Sequence, residues 1–178
     1  MTDYRFPRWR QLPFVAVLIV ILVLSYAPSI TQGTLNVRIY AQIPQGVVSH
    51  LFVSFSYVQL HTAGFSQDTG FVSPSQTNPS LDLVPIPGQF IPKTILSTTV
   101  TSGRYDSIRL IFANSTLILS SGHKTPVSGG PTLTAAVTIP IVPNGNGDVL
   151  VLLSLDYSLL VSTPPTISAS ISQVTAVS

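Results

Sequence analysis

The sequence predicts an all-β sandwich of about eight strands, prealbumin-like or immunoglobulin-like in plan, behind one N-terminal transmembrane helix. Three observations predict it. Residues 12–27, LPFVAVLIVILVLSYA, carry no charge and follow Arg5, Arg8 and Arg10. After Gly33 the apolar residues recur with a period of two, the period of a half-buried strand. Glycine and proline punctuate the remainder at short intervals, and no segment beyond residue 30 keeps a helical period.

The N-terminal segment sets the address. Residues 12–30 would span roughly 28 Å as a helix at about 1.5 Å per residue, close to the ~30 Å of a hydrocarbon core. Pro13 falls in the first turn, where its missing N–H breaks no helix bond. Trp9 and Tyr26 flank the stretch as interfacial aromatics do, and the arginines place the N-terminus in the cytoplasm. The expected organisation is a basic cytoplasmic tail over 1–11, a signal-anchor over 12–30 and an extracytoplasmic domain over 33–178. Ser25-Tyr26-Ala27 also fits a signal-peptidase site, although Pro28 directly after it disfavours cleavage. A retained anchor and a cleaved signal peptide both remain open at this stage.

Composition removes several classes of function. Beyond the apolar segment five cations face five aspartates, so the exported part is neutral and offers no stripe for nucleic acid. The chain has no cysteine, which excludes disulfides, zinc–thiolate sites and thiol catalysis. It also has no glutamate.

Along the domain, Leu35 to Tyr40 alternates as a strand with one buried face. His50 to His61 is a long strand, with Leu51, Val53, Phe55 and Tyr57 on one side and Phe52, Ser54, Ser56, Val58 and Leu60 on the other, expected at the centre of a sheet and partly buried on both faces. Gly64 to Pro79 is a loop-rich stretch around a short strand at Phe71-Val72, Leu81 to Val84 is another short strand, and Pro85 to Pro92 cannot be a central strand. Ile95 to Val100 reads as a strand or one helical turn, with its threonines favouring the strand. Gly103, expected at positive φ, feeds a strand over Arg104 to Phe112 that continues through Ser115 to Ser120. Within it Ile108, Leu110 and Phe112 share one face. Tyr105 has the other parity, which requires either a bulge at Asp106-Ser107 or packing on the opposite side. Gly122-His123-Lys124 is a hairpin tip, and Leu133 to Val142 is a strand interrupted by Pro140. Asn144-Gly145-Asn146-Gly147 is the strongest turn and is expected to close a hairpin. Val149 to Leu160 is a strand, with or without a terminal helical turn. Ile167 to Val174 closes the domain with Ile167, Ala169, Ile171 and Gln173 on one face.

Read in order, these pieces resemble an uncharacterised family of exported archaeal and bacterial proteins with a prealbumin-like (transthyretin-like) sandwich. The resemblance rests on Gly33 to Ile39, Val53 to His61, Leu81-Asp82-Leu83, Gly103 to Leu110 and Leu153 to Tyr157. It implies fold and address and carries no established activity. The family tends to place Asp-Ala-Pro after its first strand, whereas this chain has Tyr40-Ala41-Gln42-Ile43-Pro44.

No motif names a reaction, and no catalytic, cofactor-binding or metal-binding residue is expected. His50 and His61 are eleven apart and would face opposite sides of an unbroken strand, so they cannot share a metal. All three histidines, His123 included, are expected at the surface or at strand ends. Asp82 and Asp156 sit among apolar strand residues and need partners, for which Arg38 and Arg109 are the natural choice. Asn114-Ser115-Thr116 is an N-glycosylation sequon. The expected function is a non-enzymatic, membrane-anchored surface domain with a structural or adhesive role. Its expected partners are the membrane and other envelope proteins or copies of itself. One alternative is a secreted filament subunit that donates Thr34–Tyr40 to the next subunit's sheet. Another is an extracellular carbohydrate- or peptide-binding module.

Overall fold

The computed structural model describes residues 15–22, 31–43, 46–66, 68–74, 80–87, 89–127 and 130–177. Residues 15–22 are helical and exposed, and belong to the first helix, α1. The rest of the expected transmembrane segment, 12–14 and 23–30, lies outside the described residues. Among the described residues no helix is long and apolar enough to cross a membrane.

The remaining elements follow as β1 (Gln32–Gln42), β2 (Val48–Thr62), β3 (Phe71–Val72), β4 (Leu81–Asp82), β5 (Lys93–Thr101), β6 (Gly103–Leu119), β7 (Lys124–Val127), β8 (Thr132–Ile141), β9 (Asn146–Leu155), α2 (Tyr157–Leu160) and β10 (Ala169–Val177). They make two sheets. One has the order β10-β9-β1-β5, with β1 and β9 parallel and the outer pairs antiparallel. The other has the order β3-β2-β6-β7, with β4 also on β2 and β8 also on β6. The all-β, two-sheet architecture expected from the period-two pattern is therefore present. β7 is the strand that the pattern did not predict.

The core is where the two inner faces meet. β1 contributes Leu35, Val37, Ile39 and Ala41, and β9 contributes Val149, Val151, Leu153 and Leu155. Opposite them lie Leu51, Val53, Phe55, Val58 and Leu60 from β2, with Ile108, Leu110, Phe112 and Leu117 from β6. In β1 the alternation runs without interruption, as its sequence predicts. In β2 the buried parity changes after Phe55, because the register with β6 shifts on either side of that residue. Tyr57, expected beside Leu51, Val53 and Phe55, is turned out to solvent. A further shift against β2 falls between Ser107 and Tyr105 of β6, so of the two alternatives for Tyr105 the bulge is the one present. It lets Tyr105 bury its ring and donate its hydroxyl to the Thr101 carbonyl at 2.8 Å.

Three local expectations are corrected. Gly103 opens β6 without a positive φ, and an added Cβ there would meet nothing within 4 Å. The Asn144-Gly145 turn does hold Asn144 at φ 55°, but β8 and β9 lie in different sheets, so it crosses the sandwich and closes no hairpin. In β10 the register shifts between Ile171 and Gln173, so Val174 and Ala176 continue the apolar face in place of Gln173. Pro140 stays inside β8, whose pairing is to β6 on one side; a residue with no N–H is tolerated on such an edge.

The two ends of the sandwich differ. The chain enters β1 at Gln32 beside the 62–74 loop and the turns 101–103 and 142–145. There the Ser102 N–H donates to the Thr31 carbonyl and the Asn144 N–H to the Gln32 carbonyl. Gly33 is pressed so close to the last turn that a Cβ would lie 2.6 Å from the Val142 carbonyl oxygen. The other end gathers the 83–92 and 120–123 loops and α2.

Candidate functional site

His61 is the most constrained polar side chain. It stands at the end of β2, one of the two places expected for it, and is buried there. The cause is the following loop. It turns back at Gly70, which has φ 94° and packs against Phe65 and the His61 ring, and lays its carbonyls on the imidazole. His61 Nε2 lies 2.8 Å from the carbonyl oxygens of both Ser66 and Thr69, and Nδ1 lies 2.6 Å from Asp106 Oδ1. Every one of these partners is an acceptor, so both ring nitrogens must donate, and the doubly protonated ring satisfies the site. The Ser66 carbonyl first, and the Asp106 carboxylate next, raise the His61 pKa above its ordinary value, against the opposing effect of burial. Phe71 of β3 tilts against the ring at 4.9 Å, and the Arg109 guanidinium sits 3.6 Å above the centre of Phe71. His61 is thus a latch for the 62–70 loop.

His50, near the other end of β2, pairs through Nδ1 with Asp82 Oδ2 at 2.7 Å and stacks on Phe52. The parity change within β2 brings both histidines to the outer face of the sheet. At about 3.3 Å per residue they are still roughly 36 Å apart. Among the described residues no group of three or more metal-ligating side chains converges.

The expected ion pairs do not form. Asp82 accepts from the backbone N–H of Leu51 and of Val84 as well as from His50, so local donors take the place of an arginine. Burial works to raise its pKa, but the His50, Leu51 and Val84 hydrogen bonds together outweigh burial and leave it below the ordinary value. Asp156 caps α2, accepting from the Ser158 hydroxyl at 2.6 Å and the Ser158 N–H at 3.0 Å, and these bonds lower its pKa. Arg38 points along the outer face towards Asp148 at 3.7 Å. Arg109 holds Thr134 Oγ1 through Nε and covers Phe71. The Asp-x-Ser spacing at 156–158 was the signal for the cap; nothing in the sequence singles out Asp106 as the partner of His61.

Asn114 is exposed where β6 leaves register with β2, and its backbone exchanges hydrogen bonds with the Ser54 hydroxyl. His123 lies exposed in the turn before β7, as expected.

Two surface features complete the candidates. At the entry end a cleft of about 460 Å³ opens between Gln32, Phe65, Val72, Val100 and Tyr105. At the far end the 83–92 loop exposes Ile86, Phe90 and Ile91, with the Phe90 ring 4.4 Å from Tyr40. Lys93 Nζ and the Asp82 carbonyl tie the base of this loop together.

A model of the family described as "Domain of unknown function (DUF4382)" matches residues 32–161. No curated protein and no solved structure matches the chain.

Proposed function

The chain belongs to the DUF4382 family, and we propose that this member is an exported single-pass membrane protein whose prealbumin-like sandwich binds envelope partners without catalysis. Residues 1–11 would lie in the cytoplasm, 12–30 in the membrane, and 33–178 outside.

The observation that carries this reading is the polarity of the sandwich. The uncharged 12–27 stretch leads into β1 at Gln32. Tyr40 and Phe90 stand eight residues further along β1, roughly 26 Å away at about 3.3 Å per residue. An anchored domain would therefore present its 83–92 loop outward. Clustered exposed apolar side chains such as Ile86, Phe90 and Ile91 mark interaction surfaces. The Tyr40–Phe90 pair also supports a second reading, in which this loop takes a carbohydrate ring or an extended peptide.

Donor-strand exchange is less well supported. β1 already lies between β5 and β9 of its own chain, with four residues in the core. Donating it would empty that core.

Fractionation of native cells, with intact mass and N-terminal sequencing, tests the proposal. The expected product retains residues 1–30, sits in the membrane fraction and carries a glycan at Asn114. A mature chain beginning at Pro28 and free in the medium would remove the anchor. A bare Asn114 in the membrane-bound chain would remove the glycan alone.

A further inference from the structure

We propose that the entry end of the sandwich rests on the lipid surface, with Phe65, Val72 and Val142 seated at the headgroup–acyl boundary of the membrane that holds residues 12–30. The inference rests on the anchored reading above and adds a second contact to it.

Chain length limits how far this end can stand from the bilayer. The membrane segment of residues 12–30 abuts Thr31, and even a segment ending at Ala27 would leave only four residues, at most roughly 14 Å at about 3.6 Å each. Thr31 and Gln32 are fixed to the domain by the Ser102 and Asn144 amides, at 2.6 and 2.8 Å, so the tether has no slack inside the fold. A hydrocarbon core of ~30 Å within a ~40–45 Å bilayer leaves a polar layer of roughly 5–8 Å on each side. The entry end is held within reach of that layer.

Its surface suits the place. Phe65 is 62% exposed, Val142 58% and Val72 42%. Phe65 and Val72 line the mouth of the cleft with Gln32, and Val142 flanks Gly33 on the other side of the entry strand. Among the described residues of the 62–74 loop and the turns 101–104 and 142–145, only Asp68 and Arg104 are charged. Exposed apolar side chains on a weakly charged face gain by leaving water for the headgroup–acyl boundary, where amphipathic helices seat their apolar faces about 5–10 Å deep. The His61 latch gives the contact its shape, because Gly70 and the Ser66 and Thr69 carbonyls fix the loop that carries Phe65. The far-end loop shares the apolar character but lies roughly 26 Å along β1, beyond the tether's reach.

The test uses the full chain in phosphatidylcholine vesicles. Trp9, the chain's one tryptophan, is replaced by Phe, and Phe65→Trp, Val142→Trp and Phe90→Trp are made separately in that background. Both entry-end positions are exposed, so each reports independently of the other's effect on folding. Lipid brominated near the headgroup should quench the indole fluorescence of the Phe65→Trp and Val142→Trp chains, relative to unbrominated lipid, as expected for a side chain at that depth. The Phe90→Trp chain should be unchanged. No quenching of either entry-end variant, in a chain that still floats with the vesicles, would overturn the contact while leaving the anchor intact. Shielding of both positions from lipid, with cross-linking between copies, would assign the face to a second copy and overturn it as well. A chain that does not float would overturn the anchor and this contact together.

Discussion

Leu110→Ala should cost about 2–5 kcal/mol of unfolding free energy, the range for a buried leucine that leaves a cavity. Leu110 is completely buried. It stands at the middle of β6, with Val58 beside it on β2 and Leu133 on β8. No neighbouring main chain can collapse into the space, because all three strands are held in register. Against a total of about 5–15 kcal/mol for a domain, this is a large fraction. Ile111→Ala is expected to cost clearly less. Its neighbours in register are Tyr57, turned to solvent, and Thr132, exposed on the edge strand, and Ile111 itself is half-buried. Chemical denaturation of the two variants reads both effects. Equal losses would mean that the outer face of this sheet is covered.

Stability should be greatest on the acid side of neutrality and should fall as pH rises past about 6.5, the ordinary histidine value. The cause is His61, whose folded pKa is raised chiefly by the Ser66 carbonyl and then by Asp106. A group with a raised folded pKa contributes fully below its unfolded pKa. That contribution is lost as pH climbs through the folded pKa. When the ring loses a proton, one of its nitrogens becomes an acceptor facing either a carboxylate or two carbonyls. The 62–70 loop should open first, seen as faster amide exchange at pH 8 than at pH 6 after correction for intrinsic rates. His61→Gln should flatten the thermal midpoint between pH 6 and 9. On the acid side Asp82 and Asp156 have lowered folded pKa values. Their contributions are present above the unfolded value of about 3.9 and fade as pH falls through the folded one. The fold should therefore persist to about pH 3, since few other carboxylates exist to lose. Unchanged loop exchange across neutrality, or cooperative unfolding between pH 6 and 4, would contradict these assignments.

What could be read from sequence was the part governed by local periodicity. The uninterrupted alternation of Leu35, Val37, Ile39 and Ala41 names both the strand and its buried face. The parity of Tyr105 was legible only as a choice between a bulge at Asp106-Ser107 and packing on the opposite side, and pairing with β2 decides for the bulge. Features set by distant pairing were not. The parity change at Phe55 depends on how β6 crosses β2, and no residue in β2 announces it. Asn144-Gly145 reads as a hairpin because a turn carries no information about which sheet the next strand joins. The burial of His61 was not legible because it comes from a loop that returns over the strand end. Asp82 and Asp156 read as halves of ion pairs because a pattern shows the missing arginine and not the nearby backbone N–H groups that serve instead.

The outward, anchored orientation of the sandwich is tested most directly by adding protease to intact, wall-stripped cells and following the 33–178 domain. The domain should be removed while a fragment containing residues 1–30 stays with the membrane. Full protection of the domain until the membrane is breached would contradict that orientation.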